Sequence, residues 1–243
     1  MASPVQEGTF GSRPFVNQHV DVLHENLNIK IDEDFNFALF DIEYHIQASE
    51  DGVEIPLLFY ASEYYDNFEV SIDGEPIELL KVEDLFDSIN KEKFNDFSNL
   101  FESNEDSNDN YDSADILKLR LPDFLYFKTN ISKGKHVIKV NYTATHWTFK
   151  GSWAKSYSFR YALSPAKYWK TFGTLDITID ASSFEKPITT NLNNNYEPLE
   201  PITKLSYSSL PTEVLLIEYI PKINGFANLL IDLKPFNISI FLT

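Results

Sequence analysis

Cysteine is absent from this chain, which removes disulfides, thiolate metal sites, cysteine nucleophiles and iron–sulfur clusters. Glycine is scarce. With only eight glycines in 243 residues, and with no phosphate-loop, dinucleotide or nucleophile-elbow fingerprint, the chain has no Gly-rich cradle for a nucleotide. No apolar run reaches the ~20 residues of a membrane-spanning helix. Residues 1–16 lack the basic and apolar regions of a signal peptide, so any signal is expected to have been removed. The five histidines, His19, His24, His45, His136 and His146, stand at no metal-ligand spacing, and His24-Glu25 is not followed by the second His of a zinc-protease helix. Neither a cofactor nor a metal is expected, and no period of 20 to 50 residues marks a solenoid or propeller.

One further absence is local. Residues 124–175 contain no Asp or Glu, although the chain has 37 acids against 20 bases. Nine bases fall in that stretch, giving it a charge of +9 and leaving −26 on the rest. All three tryptophans lie there as well. Cations attract an anionic ligand at range and ring faces supply contact area, so the segment reads as a recognition surface for an anionic or sugar-like ligand. Trp147, Lys150, Trp153, Lys155, Lys167, Tyr168, Trp169 and Lys170 are its candidate ligand-binding residues, because they flank the turn-like Lys150-Gly151-Ser152 and Ser164-Pro165-Ala166. Tyr157, Phe159, Tyr161 and Leu163 alternate with Ser156, Ser158 and Arg160 and are expected to point into a core instead. The net charge of −17 disfavours nucleic acid, since phosphate would be repelled everywhere but along this segment. A protein or glycan partner is the expectation.

What is present is alternation. Ala38, Phe40, Ile42, Tyr44 and Ile46 alternate with Asp41, Glu43 and His45, the mark of a half-buried strand. Comparable runs occur at Leu27/Ile29/Ile31, Ile55/Leu57/Phe59, Phe68/Val70/Ile72, Leu117/Leu119/Leu121, Ile138/Val140/Tyr142, Leu175/Ile177/Ile179 and Leu229/Ile231/Leu233. Residues 214–219 are apolar on both faces apart from Glu218 and read as a central strand. Turns are marked at Glu50-Asp51-Gly52, Asp73-Gly74 and Ser132-Lys133-Gly134. Residues 82–115 interrupt the pattern: Val82, Leu85, Phe86 and Ile89 recur at helical spacing, predicting a short helical insertion near residues 82–102 that runs into an acidic tract. There Asp106, Asn108 and Asn110 have the spacing of calcium ligands, but Tyr111 and Leu117 stand where the Gly and bidentate Glu of such a loop belong. The expectation is an all-β, antiparallel β-sandwich over residues 21–243, preceded by a disordered or extended segment over residues 1–20. A closed barrel is the structural alternative.

The run His24-Glu25-Asn26-Leu27-Asn28-Ile29-Lys30-Ile31-Asp32, the strand over residues 38–46, and Phe68-Glu69-Val70-Ser71-Ile72-Asp73-Gly74-Glu75-Pro76-Ile77 resemble the opening strands of the N-terminal β domain of M1 family aminopeptidases. Tyr161-Ala162-Leu163-Ser164-Pro165-Ala166-Lys167-Tyr168-Trp169 resembles a segment of extracytoplasmic bacterial β domains of unassigned function. No residue matches the zinc-binding helix of the peptidases, so no catalytic residue carries over. The resemblance implies a β scaffold or recognition module, as one piece of a longer, membrane-anchored or peptidase-like protein cut after Thr243. The leading expectation is a non-catalytic cell-envelope module, periplasmic or extracellular, which the lack of cysteine suits. A glycan-acting enzyme using a carboxylate pair and a purely structural domain are the alternatives, and an enzyme of that kind would need carboxyls ~5 to 9.5 Å apart across a cleft.

Overall fold

The alternation becomes strands wherever it occurs in the described part of the chain. The computed structural model describes residues 2–4, 17–80, 124–150, 155–163, 166, 169–192 and 197–221. Among these residues lie β1 (Ala2–Pro4), β2 (Asn17–Ile31), β3 (Phe37–Ala48), β4 (Gly52–Tyr60), β5 (Tyr64–Ile72), β6 (Glu75–Pro76), β7 (Leu79–Leu80) and β8 (Phe124–Ile131). They are followed by β9 (Gly134–Thr145), β10 (Trp147–Lys150), β11 (Lys155–Ala162), β12 (Trp169–Asp180), β13 (Thr189–Thr190), β14 (Ile202–Tyr207) and β15 (Val214–Tyr219). The chain is nearly all-β here. The predicted helical insertion, its acidic tract and the runs at Leu117 and Leu229 lie outside the described residues.

Three sheets form. A seven-stranded sheet runs β14-β12-β2-β3-β9-β5-β6, and two four-stranded sheets run β1-β4-β8-β7 and β10-β11-β15-β13. In β3 every second side chain, from Ala38 to Ala48, is buried, as strict alternation requires. Both smaller sheets pack on that same inner face. Phe59 of β4 meets Phe68 and Tyr142 edge-on, while Tyr161 of β11 lies over Phe40 and bonds Tyr44. The layering is sandwich-like, and each sheet keeps two edge strands among the described residues. Aromatic rings dominate the seam: Phe40 and Tyr142 stack with centroids 4.8 Å apart.

Local chemistry sets the corners. Asp73 and Gly74 both adopt left-handed φ, 52° and 88°, giving the two-residue turn that joins β5 to β6 with a twist matching the strands. Between β2 and β3, the Asp32 carboxylate accepts the amides of Asn36 and Phe37 at 2.8 and 3.2 Å. Phe35 in this turn has φ 62°, a conformation that costs an ordinary residue about 1–2 kcal/mol. Burial offsets it, because the ring packs among Phe159, Phe184 and Tyr219.

β2 pairs parallel with β12 and antiparallel with β3, and it carries a bulge on the β3 side. The β2–β3 register shifts between Val22 and His24, so Val20 and Val22 face the core, Leu23 is turned outward, and Glu25, Leu27, Ile29 and Ile31 face the core again. Gly173 of β12 lies opposite. A Cβ there would collide with the Leu23 carbonyl, so this position requires glycine.

Strand β15 is interior to its sheet, as expected, but it is not equally buried on both faces. Leu215 and Ile217 are in the core, whereas Leu216 and Glu218 are partly covered on the opposite face. Pairing explains it: Leu215 lies opposite Tyr161 and Ile217 opposite Phe159, both inward-facing.

Candidate functional site

The hairpin β10–β11 carries the aromatic part of the candidate surface. Tyr161 and Phe159 are fixed inward by the core, so the intervening Ser156, Ser158 and Arg160 face away from it. Trp147 pairs with Ser158 and Phe149 with Ser156, which puts both rings on this outer face. The rings sit 5.9 Å apart at 27°. Ser158, which pairs with Trp147, is itself buried, and Glu218 pairs with it across the sheet. The Arg160 guanidinium lies 3.7 Å from the Trp147 ring centre, a cation–π contact in a residue only 8% exposed. Phe149 is 41% exposed. Lys150 and Lys155 face each other in register at the end of the hairpin, and Lys155 is exposed.

The other predicted residues do not join this cluster. Trp169 opens β12 and is 3% exposed, so its faces belong to the core. Lys170 forms an ion pair with Asp21 at 3.1 Å, and Thr171 donates to the same carboxylate at 2.7 Å. The Thr171 hydrogen bond holds the Asp21 carboxyl below its ordinary range, with Lys170 adding to it against the opposing effect of burial. Register puts Trp169 beside Asn17, at the Val20–Ala48 end of the seven-stranded sheet. Phe37 pairs with Thr145 at the opposite end, two residues before Trp147. The 12-residue β3 separates these ends by roughly 35–40 Å. Trp153, Lys167, Tyr168 and the Lys150 side chain lie outside what is described.

Sequence reasoning did not single out Glu25. Its carboxyl is fully buried, and Oε1 accepts the Tyr161 hydroxyl at 2.8 Å while Tyr161 and Tyr44 share a 2.8 Å hydrogen bond. Oε2 has no hydrogen-bond partner among the described residues. Burial pushes the Glu25 carboxyl up to about 7, against the lowering effect of Tyr161. The signal was available: the inward row Leu27, Ile29, Ile31 extends back by twos to Glu25.

The outer face of the large sheet carries a polar belt. His24 contacts Thr174 at 2.7 Å and Asn26 at 2.9 Å, its ring lies 5.8 Å from that of His45, His45 pairs with Glu43 at 2.7 Å, and Glu43 with Lys139 at 2.8 Å. Lys139 borders a groove of about 520 Å³ at the β5–β6 edge, with Glu69, Ser71, Asn141, Ile77 and Leu79. Elsewhere His136 meets Asp73 through Nδ1 at 2.7 Å and the Ser132 carbonyl through Nε2 at 2.8 Å. Both nitrogens face acceptors, which calls for the imidazolium. Burial works to lower the His136 pKa, but Asp73 and Ser132 outweigh it and the net shift is upward. No group of three or more His, Asp or Glu side chains suited to a metal ion occurs among the described residues.

No family model matches the chain, and no curated protein matches it. Among solved structures it is similar to a candidate nutrient-binding protein of Legionella pneumophila, with a TM-score of 0.51 at 12% identity over 97% of this chain and 74% of that one. It is also similar to an M1 zinc metallopeptidase of Deinococcus radiodurans, with a TM-score of 0.40 at 10% identity, covering 85% of this chain and 44% of that one. A third similar structure is leukotriene A4 hydrolase of Saccharomyces cerevisiae, with a TM-score of 0.45 at 11% identity over 83% and 29% of the two chains. This chain thus spans less than half the length of either enzyme. The M1 resemblance read in the opening strands is met by a weak structural likeness, and identities this low concern fold alone. The likeness to the Legionella protein is one of overall fold.

Proposed function

We propose that this chain is a non-catalytic recognition module whose binding face is the β10–β11 hairpin, and that it takes an anionic glycan or an acidic partner. The carrying observation is the Trp147 ring held by the Arg160 guanidinium at 3.7 Å, with the exposed Phe149 ring beside it. A ring whose orientation is fixed by a buried cation loses little freedom when a ligand stacks on it or on its neighbour. Lys155 at the hairpin end adds attraction at range. The buried carboxyl, Glu25, is sealed from solvent and serves the fold, not a ligand. A shared fold does not determine function, so the reading rests on this surface. We further propose that it acts outside the cytoplasm, in the periplasm or extracellular space, which its lack of cysteine suits.

The test is calorimetric titration of the full chain with polygalacturonate at two salt concentrations. Phe149→Ala is expected to weaken binding equally at both, by the ~1–3 kcal/mol of a stacking contact. Lys155→Gln is expected to weaken it mainly at low salt. If acidic glycans and acidic proteins all bind the two variants as they bind the parent chain, the hairpin is not a recognition surface.

A further inference from the structure

The outer face of the large sheet is polar across the His24–Lys139 belt, but its Phe37 end is not. Phe37 and Leu39, which alternation places outward on β3, are 37% and 46% exposed. Tyr65, on β5, is 62% exposed and reaches Phe37 with ring centroids 5.0 Å apart. Alternation puts Tyr65 outward, since Tyr64 packs against the core and the row Phe68, Val70 and Ile72 is buried; the β5–β9 register shift between Tyr64 and Asp66 brings Asp66 to the same outer side. Phe37 and Leu39 pair with Thr145 and Thr143 of β9, and Asp66 also pairs with Thr143, so the three apolar side chains form one continuous patch across three strands.

The rim is mainly acidic. Exposed Glu33 and Asp34 stand in the turn leading to Phe37, exposed Asp41 follows Leu39 on the same face, and exposed Asp66 neighbours Tyr65. Against these acids stands Lys30, paired with Leu39. An apolar patch with an acidic rim selects a complementary surface of basic residues around apolar ones. A second copy of this chain is disfavoured as the occupant, since two bodies of charge −17 repel.

We propose that Phe37, Leu39 and Tyr65 form a docking surface for a basic, apolar-tipped segment of another protein, separate from the hairpin face. Its apolar side chains lie against the two rings and Leu39, and its Lys or Arg side chains meet Asp41 and Asp66. The probe is a dye-labelled peptide alternating Lys with Leu, compared with its Glu–Leu counterpart, titrated with the full chain by fluorescence anisotropy. The Lys–Leu peptide is expected to bind and the Glu–Leu peptide not to bind. Combining Phe37→Thr, Leu39→Thr and Tyr65→Thr should weaken binding about tenfold or more, equivalent to about 1.4 kcal/mol. Asp41→Asn with Asp66→Asn, which leaves the apolar side chains in place, should weaken it and flatten its salt dependence. Remote Glu50→Gln with Asp51→Asn, exposed positions beyond the Ala48 end of β3, removes the same charge and should leave affinity within about twofold, or ~0.4 kcal/mol. The proposal is overturned if the remote pair weakens binding as much as the local pair does, or if the Thr variant binds like the parent. It is equally overturned if sedimentation shows the parent chain self-associating through this patch.

Discussion

Replacing Glu25 by Gln should abolish a specific pH dependence of stability. The folded protein holds the Glu25 proton up to about pH 7, against an ordinary value of 4.5, so between those limits the folded state binds more protons than the unfolded one. The contribution is fully present below pH 4.5 and is lost as pH rises through 7. At about 1.4 kcal/mol per pH unit, a shift of this size corresponds to ~3 kcal/mol. Gln has no such transition: its oxygen still accepts the Tyr161 hydroxyl, while its amide meets the place where Oε2 has no partner, a constant cost of about 1–3 kcal/mol. Urea unfolding of both proteins from pH 4 to 9 isolates the effect, because other titrating groups cancel in the difference. The parent chain should lose ~3 kcal/mol relative to Glu25→Gln across this range, mostly between pH 4.5 and 7.5. A difference that stays flat within ~0.5 kcal/mol, well under that expectation, would refute the idea that Glu25 folds with its proton.

Gly173→Ala should destabilise by ~1–3 kcal/mol or more, as overpacking against backbone does, measured by chemical denaturation; a neutral result would mean the Leu23 bulge relaxes freely. For the His136–Asp73 pair, His136→Asn should cost stability below about pH 6.5, with the loss fading as pH rises through the elevated His136 value. Because Asp73 is held below its ordinary value chiefly by its His136 hydrogen bond, the same pair also loses its contribution as pH falls past ~3.8; with Asp73 half-exposed, an effect under ~1 kcal/mol is expected. NMR titration of the His136 ring checks it directly, and an unshifted midpoint would count against the imidazolium assignment.

Much of the architecture was legible because burial on one face imposes alternation. The inward rows of β3, β9 and β12, the orientation of Tyr157 to Leu163, and the Asp73-Gly74 turn all follow from side-chain period and backbone sterics, which are local. The failures are non-local. Leu216 reads like Leu215 in sequence, and only the pairing of β15 with β11 tells the core-facing one from the other. The basic segment is continuous in sequence, yet it passes from one layer to the other, carrying Trp147 to one end of the large sheet and returning Trp169 at the far end. Segregated charge along a chain is therefore not a patch in space. The Phe37–Tyr65 patch escaped notice for a related reason: alternation places all three side chains outward, but only the pairing of β3 and β5 on either side of β9 brings them together.

The Leu23 bulge also bears on how the chain finds its own partner strand during synthesis. β2 emerges early, and the β12 residues that will lie beside it come about 150 positions later, as with Thr171 and Asp21. At ~5–20 residues per second, that edge waits on the order of ten seconds with its amides and carbonyls unpaired, a hazard for any extended chain nearby. Leu23 answers it by shape. Its carbonyl projects where a neighbouring strand would place a Cβ, so a strand in the β12 position must offer glycine opposite that carbonyl, and Gly173 does. The bulge acts as a key: it tolerates the delayed native strand in one register and turns away strands, or shifted alignments of the right strand, that bring any larger residue to that point.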